Sequence, residues 1–86
     1  MKFGHIKEND IVTRSLGGMP MKMLVGNVDD KYIYVGSADG MIPWKHGWKF
    51  RRENGAEVDE DLGWDGTERT GSVLILELET INKNDT

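Results

Sequence analysis

A chain of 86 residues, 30% of them charged and with a net charge of −4, has room for one domain around one modest core. Folding at this size buries only about 60–65% of the surface that the unfolded chain exposes. The balance of apolar and charged residues suits a globular domain rather than a disordered segment, and the lack of cysteine excludes disulfides, thiolate metal sites and cysteine nucleophiles.

Residues 1–5 lead into charged residues without the apolar run of a signal peptide, and no stretch has the length of a transmembrane helix. The sequence-based expectation is a cytoplasmic protein with no membrane contact. Eleven glycines against two prolines point to many turns, as a compact β protein needs.

The first strand signal is residues 10–14, β-branched and ending at a turn over Gly17, Gly18, Met19 and Pro20. The second is residues 21–28, in which Met21, Met23 and Val25 alternate on one face. Gly26 interrupts the alternation, and a bulge there returns Val28 to the inner face. Asp29 and Asp30 form a turn. Residues 31–37 form the third strand, with Ile33 and Val35 opposite Tyr32 and Tyr34, and the two strands make the best hairpin in the chain. After the turn at residues 38–40, residues 41–44 read as an edge strand or strand end because of Pro43. Residues 48–52 form a further short strand closed by Asn54-Gly55. Residues 57–65 are acidic and read mostly as loop, with room for one helical turn. Residues 72–79 carry a continuously apolar run and read as a central strand. The expected domain spans residues 1–81, with 82–86 a frayed polar tail. About five short antiparallel strands predict an all-β fold, a small partly open barrel.

Charge is unevenly spread. Residues 1–43 sum to zero, the segment 44–52 carries +4 from Lys45, Lys49, Arg51 and Arg52, and the segment 53–68 carries −7. Such neighbouring patches orient encounters without setting the fold.

Asn9-Asp10-Ile11-Val12 followed by Gly17-Gly18-Met19-Pro20-Met21-Lys22-Met23 resembles the opening of the YodC-like family of small uncharacterised bacterial proteins. Those begin with a Gly-Asp-x-Val strand, then Gly-Gly-Pro and a Met-containing strand. The likeness covers roughly residues 9–35; here Asn9 stands for the usual glycine and Met19 precedes Pro20. The same layout is similar to the first hairpin of SH3-like barrels of the KOW type. The stretch 48–64, with Thr70-Gly71-Ser72 after it, is similar to a segment of other small bacterial proteins of unknown role. These resemblances imply an SH3-like fold and bring no catalytic residue or ligand.

The acidic segment invites a calcium reading, since Asp61, Asp65 and Gly66 match an EF-hand loop at its first, fifth and sixth positions. Gly63 and Ser72 stand where the loop needs an oxygen ligand and its closing bidentate Glu, and no helices flank it. The favoured reading is a solvated loop pinned to the core by Leu62 and Trp64, so no metal is expected. His5 and His46 are the only histidines, without acidic partners at zinc-ligand spacing. Ser15, Ser37 and Ser72 lack a Gly-x-Ser-x-Gly turn, and Gly17-Gly18 lacks the lysine and helix of a phosphate loop. No enzyme activity and no cofactor are expected.

The segment 43–52 interleaves Trp44, Trp48 and Phe50 with Lys45, His46, Lys49, Arg51 and Arg52. Rings that stack and cations that meet phosphates suit single-stranded nucleic acid. The favoured alternative places Trp48 and Phe50 in the core, with Lys49 and Arg51 solvated on the opposite face. Trp44, after Pro43, is the ring expected to be partly exposed. The sequence therefore suggests a non-catalytic interaction module that binds a protein partner or forms a homo-oligomer. Its candidate contact residues are Trp44, Lys45, His46, Lys49 and Arg51. The second reading is a nucleic-acid (RNA) binding module, and the third a metal-binding regulatory domain.

Overall fold

The computed structural model describes residues 2–75. Seven strands form one antiparallel sheet: β1 (Ile11–Leu16), β2 (Met19–Val28), β3 (Tyr32–Ser37), β4 (Trp48–Arg51), β5 (Glu57–Asp59), β6 (Trp64–Asp65) and β7 (Ser72–Ile75). Short 3-10 turns at Trp44–His46 and Glu68–Thr70 are the only helical elements among the described residues. The strand order is β6-β5-β4-β3-β2-β1-β7, a meander whose last strand returns to the first. Curling brings β7 back against the start of β5: Ala56 bridges Val73, and the Leu74 N–H donates to the Gly55 carbonyl at 2.7 Å. The fold is the expected all-β, partly open barrel. No helix of the described residues is long and apolar enough to cross a membrane.

Local chemistry sets each turn. Gly17 and Gly18 both adopt positive φ, +59° and +89°, the geometry of the two-residue turns that match strand twist. This pair alone makes the hairpin, so Met19 and Pro20, read from the sequence as turn, already belong to β2 opposite Leu16 and Ser15. The bulge at Gly26 is present: the register steps from Val25↔Val35 to Asn27↔Tyr34. Asp29 organises the next turn by accepting the N–H groups of Lys31 and Tyr32 at 2.8 and 2.7 Å.

Three expectations need correction. The sheet has seven strands instead of about five. The supposed acidic loop 57–65 supplies two of them, because the Asp59 carboxylate accepts the Leu62 N–H at 3.2 Å and folds β5 back onto β6. Residues 41–44 do not form a strand. Asp39 accepts the Met41 N–H at 3.0 Å and the Ser37 hydroxyl accepts that of Ile42 at 2.8 Å, so these backbone groups bond to side chains instead of a ladder. The C-terminal half of the strand expected over 72–79, and the tail 82–86, lie outside the described residues.

The core consists of Phe3, Val12, Met23, Val25, Ile33, Val35, Phe50 and Leu74, with Trp48, Met21, Val28 and Ile6 packed against it. Phe3 joins from outside the sheet, its N–H donating to the Arg52 carbonyl at 3.0 Å. Leu62 does not pin the acidic segment; it is exposed, and Trp64 is half-buried.

Candidate functional site

Trp44 sits on the first 3-10 turn, half-buried, at the end of the loop ordered by Ser37 and Asp39. Its ring lies on Gly26, where a Cβ atom would overlap the Trp44 side chain at Cδ1, Cγ and Cβ. Tyr34, on the outer face of β3, meets it edge-on with ring centroids 5.9 Å apart. The bulge glycine therefore serves a second purpose, making the seat for an indole on the outside of the sheet.

Beside this seat runs a groove of about 330 Å³. One wall carries Trp44, Lys45 and Lys49; the other is β5 and the turn after it, with Asp59, Glu60 and Asp61. The Lys45 ammonium stands 5.8 Å from the Trp44 ring centre, and that of Lys49 stands 4.8 Å from the Tyr32 ring centre. Lys49 also approaches Glu60 at 3.8 Å. With the Glu60 side chain almost fully exposed, that pair contributes little.

Of the candidate contact residues, the structure brings Trp44, Lys45 and Lys49 together. Arg51 shares the outer face of β4 but borders a different hollow, with Asp30, Lys31, Tyr32 and Glu53, and lies 3.8 Å from Glu53. His46 is exposed and does not line the groove. Trp48, expected in the core, is half-buried at the core's margin and also borders the groove. Among the described residues, no group of three or more His, Asp or Glu side chains is placed to hold a metal ion.

Sequence reasoning missed a buried polar cluster under this surface. Arg14 (6% exposed) and Glu57 (1%) meet at 2.6 Å inside the barrel. The Ser72 hydroxyl donates to the same Glu57 oxygen at 2.6 Å and accepts the Arg14 Nε–H at 3.0 Å. The guanidinium lies over Trp48 at 5.2 Å and Phe50 at 6.0 Å from the ring centres, a favourable cation–π arrangement. The phase of β1 carried the signal: Arg14 follows Val12 by two positions and so shares its inward face. The groove's acidic wall was also missed as a neighbour of Lys45 and Lys49, since a loop reading of residues 57–65 gave no register to place it.

Compared with known proteins, no family model, no curated protein and no solved structure matches this chain.

Proposed function

We propose that this chain is a non-catalytic, cytoplasmic interaction module that takes a segment of a protein in the groove beside Trp44. The observation that carries the reading is the seating of Trp44: an aromatic ring held in place by a glycine bulge yet half open to solvent. Rigid, partly exposed aromatics make good anchors because little side-chain entropy is lost when a partner covers them. The kinship suggested by the YodC-like opening belongs to the same proposal and adds no ligand to it. The mixed charge of the groove favours protein over nucleic acid, since Asp59, Glu60 and Asp61 line it together with Lys45 and Lys49 and carboxylates repel phosphates.

Immobilised wild-type protein, Trp44→Ala and Arg51→Ala, each challenged with extract from the source cells, test the proposal. Proteins retained by wild type and Arg51→Ala but lost by Trp44→Ala are expected. Equal retention by all three would discard the groove. Binding to generic RNA that weakens steeply with salt, and that depends on Lys45 and Lys49, would replace this reading with the nucleic-acid one.

A further inference from the structure

The two walls of the groove carry opposite charge, and this fixes what its best partner must look like. Lys45 and Lys49 stand on one side, Asp59, Glu60 and Asp61 on the other. A uniformly basic or acidic segment would gain at one wall and lose at the other. A surface that carries both signs side by side gains at both. The same groove turned over by a two-fold rotation is such a surface, since in an isologous contact each patch meets its own complement.

The apolar surroundings point the same way. Met41 (82% exposed) and Ile42 (40%) precede Pro43 and Trp44, and Leu62 (60%) immediately follows Asp61. Each charged wall is thus continued along the chain by exposed aliphatic side chains. Large exposed apolar side chains mark contact surfaces when they cluster, and these lie within three residues of the half-open Trp44 or next to Asp61 in the chain. Lys49 and Glu60 form a long ion pair across the groove at 3.8 Å, with the Glu60 side chain 87% exposed and open to a further partner.

We infer that the groove is a self-complementary interface, and that its occupant is a second copy of this chain related by a two-fold axis. The inference rests on the groove being a protein-binding site and adds the identity of the partner. Trp44 and the apolar side chains supply contact area, and the segregated walls fix orientation: the lysine wall of each copy lies against the acidic wall of the other. Charge complementarity of this kind acts mainly on encounter and register.

A charge-swap experiment tests it. One variant carries Lys45→Glu and Lys49→Glu; a second carries Glu60→Lys and Asp61→Lys, leaving Asp59 to hold its turn. In the first both walls are acidic, and in the second the acidic wall is turned basic. Sedimentation equilibrium over a concentration series should show wild type passing from monomer to dimer. Each variant alone should associate at least about tenfold more weakly, since like charges then face each other. An equimolar mixture of the two should restore association, and this rescue also shows that both variants are folded. High salt, about 1 M, should weaken the wild-type dimer by cutting the screening length to about 3 Å.

A wild type that stays monomeric throughout the series overturns the inference, as does a mixture no better than either variant alone. If the chain is monomeric while Trp44-dependent capture from extract persists, the groove serves a different protein. The proposed function then stands without this partner.

Discussion

Gly26 and Trp44 form a seat and its occupant: the missing side chain at the bulge is the space in which the indole rests. A methyl group at residue 26 would have to displace the ring, since the overlapping atoms belong to the stem of Trp44 and not to a flexible end. Gly26→Ala should therefore destabilise by about 1–3 kcal/mol, as overpacking does. It should also alter the Trp44 environment. In Trp44→Ala the clash is gone, so the double variant should lose clearly less than the two single changes added together. Urea unfolding of the four proteins measures that coupling. Strict additivity would show that the two residues do not meet.

The aromatic residues of segment 44–50 should separate by depth. Phe50 is wholly buried, Trp48 lies at the core's margin, and Trp44 is seated outside the sheet. Phe50→Ala should cost about 3–5 kcal/mol, and Trp44→Ala about 1–2 kcal/mol, in line with its partial burial. Trp48→Ala should fall between them, because it also removes the ring beneath the Arg14 guanidinium. Urea midpoints decide the order. A Trp44→Ala protein as unstable as Phe50→Ala would make Trp44 a core residue and remove the candidate surface.

The strands legible in the sequence are those with a single dominant signal. Alternation of Met21, Met23 and Val25, its break at Gly26 and its return at Val28 reproduce β2 and its bulge. Ile33 and Val35 likewise point inward as their spacing predicts. What escaped the reading depended on contacts distant in sequence. β5 and β6 are too short to show a period, and a side-chain bond from Asp59 to the Leu62 N–H fixes their turn. Glu57 looked like one more solvated carboxylate because its partners, Arg14 and Ser72, stand 43 and 15 residues away. The site was half legible: Trp44, Lys45 and Lys49 came together, while the acidic wall opposite them needed the register of β5 on β4.

Asp29 links the β2–β3 turn to pH. Burial pushes its carboxyl up, but the Lys31 N–H, the Tyr34 hydroxyl, the Tyr32 N–H and the Arg52 charge outweigh this and hold it below 3.8. The folded state therefore prefers the carboxylate. Its contribution to stability is complete above the unfolded value and is lost as pH falls through the lower folded one. Asp29 is exposed, so solvent screens its interactions; Asp29→Asn should cost at most about 1 kcal/mol at neutral pH, and the gap from wild type should close under acid conditions. The same bond holds the Tyr34 hydroxyl above its usual 10.0, so its share persists below that value and fades as pH rises through the folded one. Urea unfolding of wild type, Asp29→Asn and Tyr34→Phe across the pH range checks both limbs. A gap for Asp29→Asn that does not change with pH would mean the carboxylate has no such role.

Arg14 and Glu57 make the strongest prediction, because burial removes the screening that weakens surface pairs. They stand on β1 and β5, and Ser72 on β7 bonds to both. The cluster thus ties the three strands between which the barrel closes. Taking one partner away leaves a charge with no counterion in a low-dielectric interior. Arg14→Met alone, or Glu57→Leu alone, should therefore cost about 3–5 kcal/mol. Removing both charges together removes the desolvation penalty as well as the attraction. The double variant Arg14→Met with Glu57→Leu should accordingly lie within a few kcal/mol of wild type, or even above it. Two features argue for some residual loss: the Ser72 hydroxyl would be left without either partner, and the cation over Trp48 and Phe50 would be gone. Adding Ser72→Ala to the double variant should recover part of that loss. Urea unfolding of the two single variants, the double and the triple measures each step. If the double variant is as unstable as the sum of its parts, the pair is not coupled, and the closure of the barrel must be held by the Leu74–Gly55 backbone bond and core packing alone.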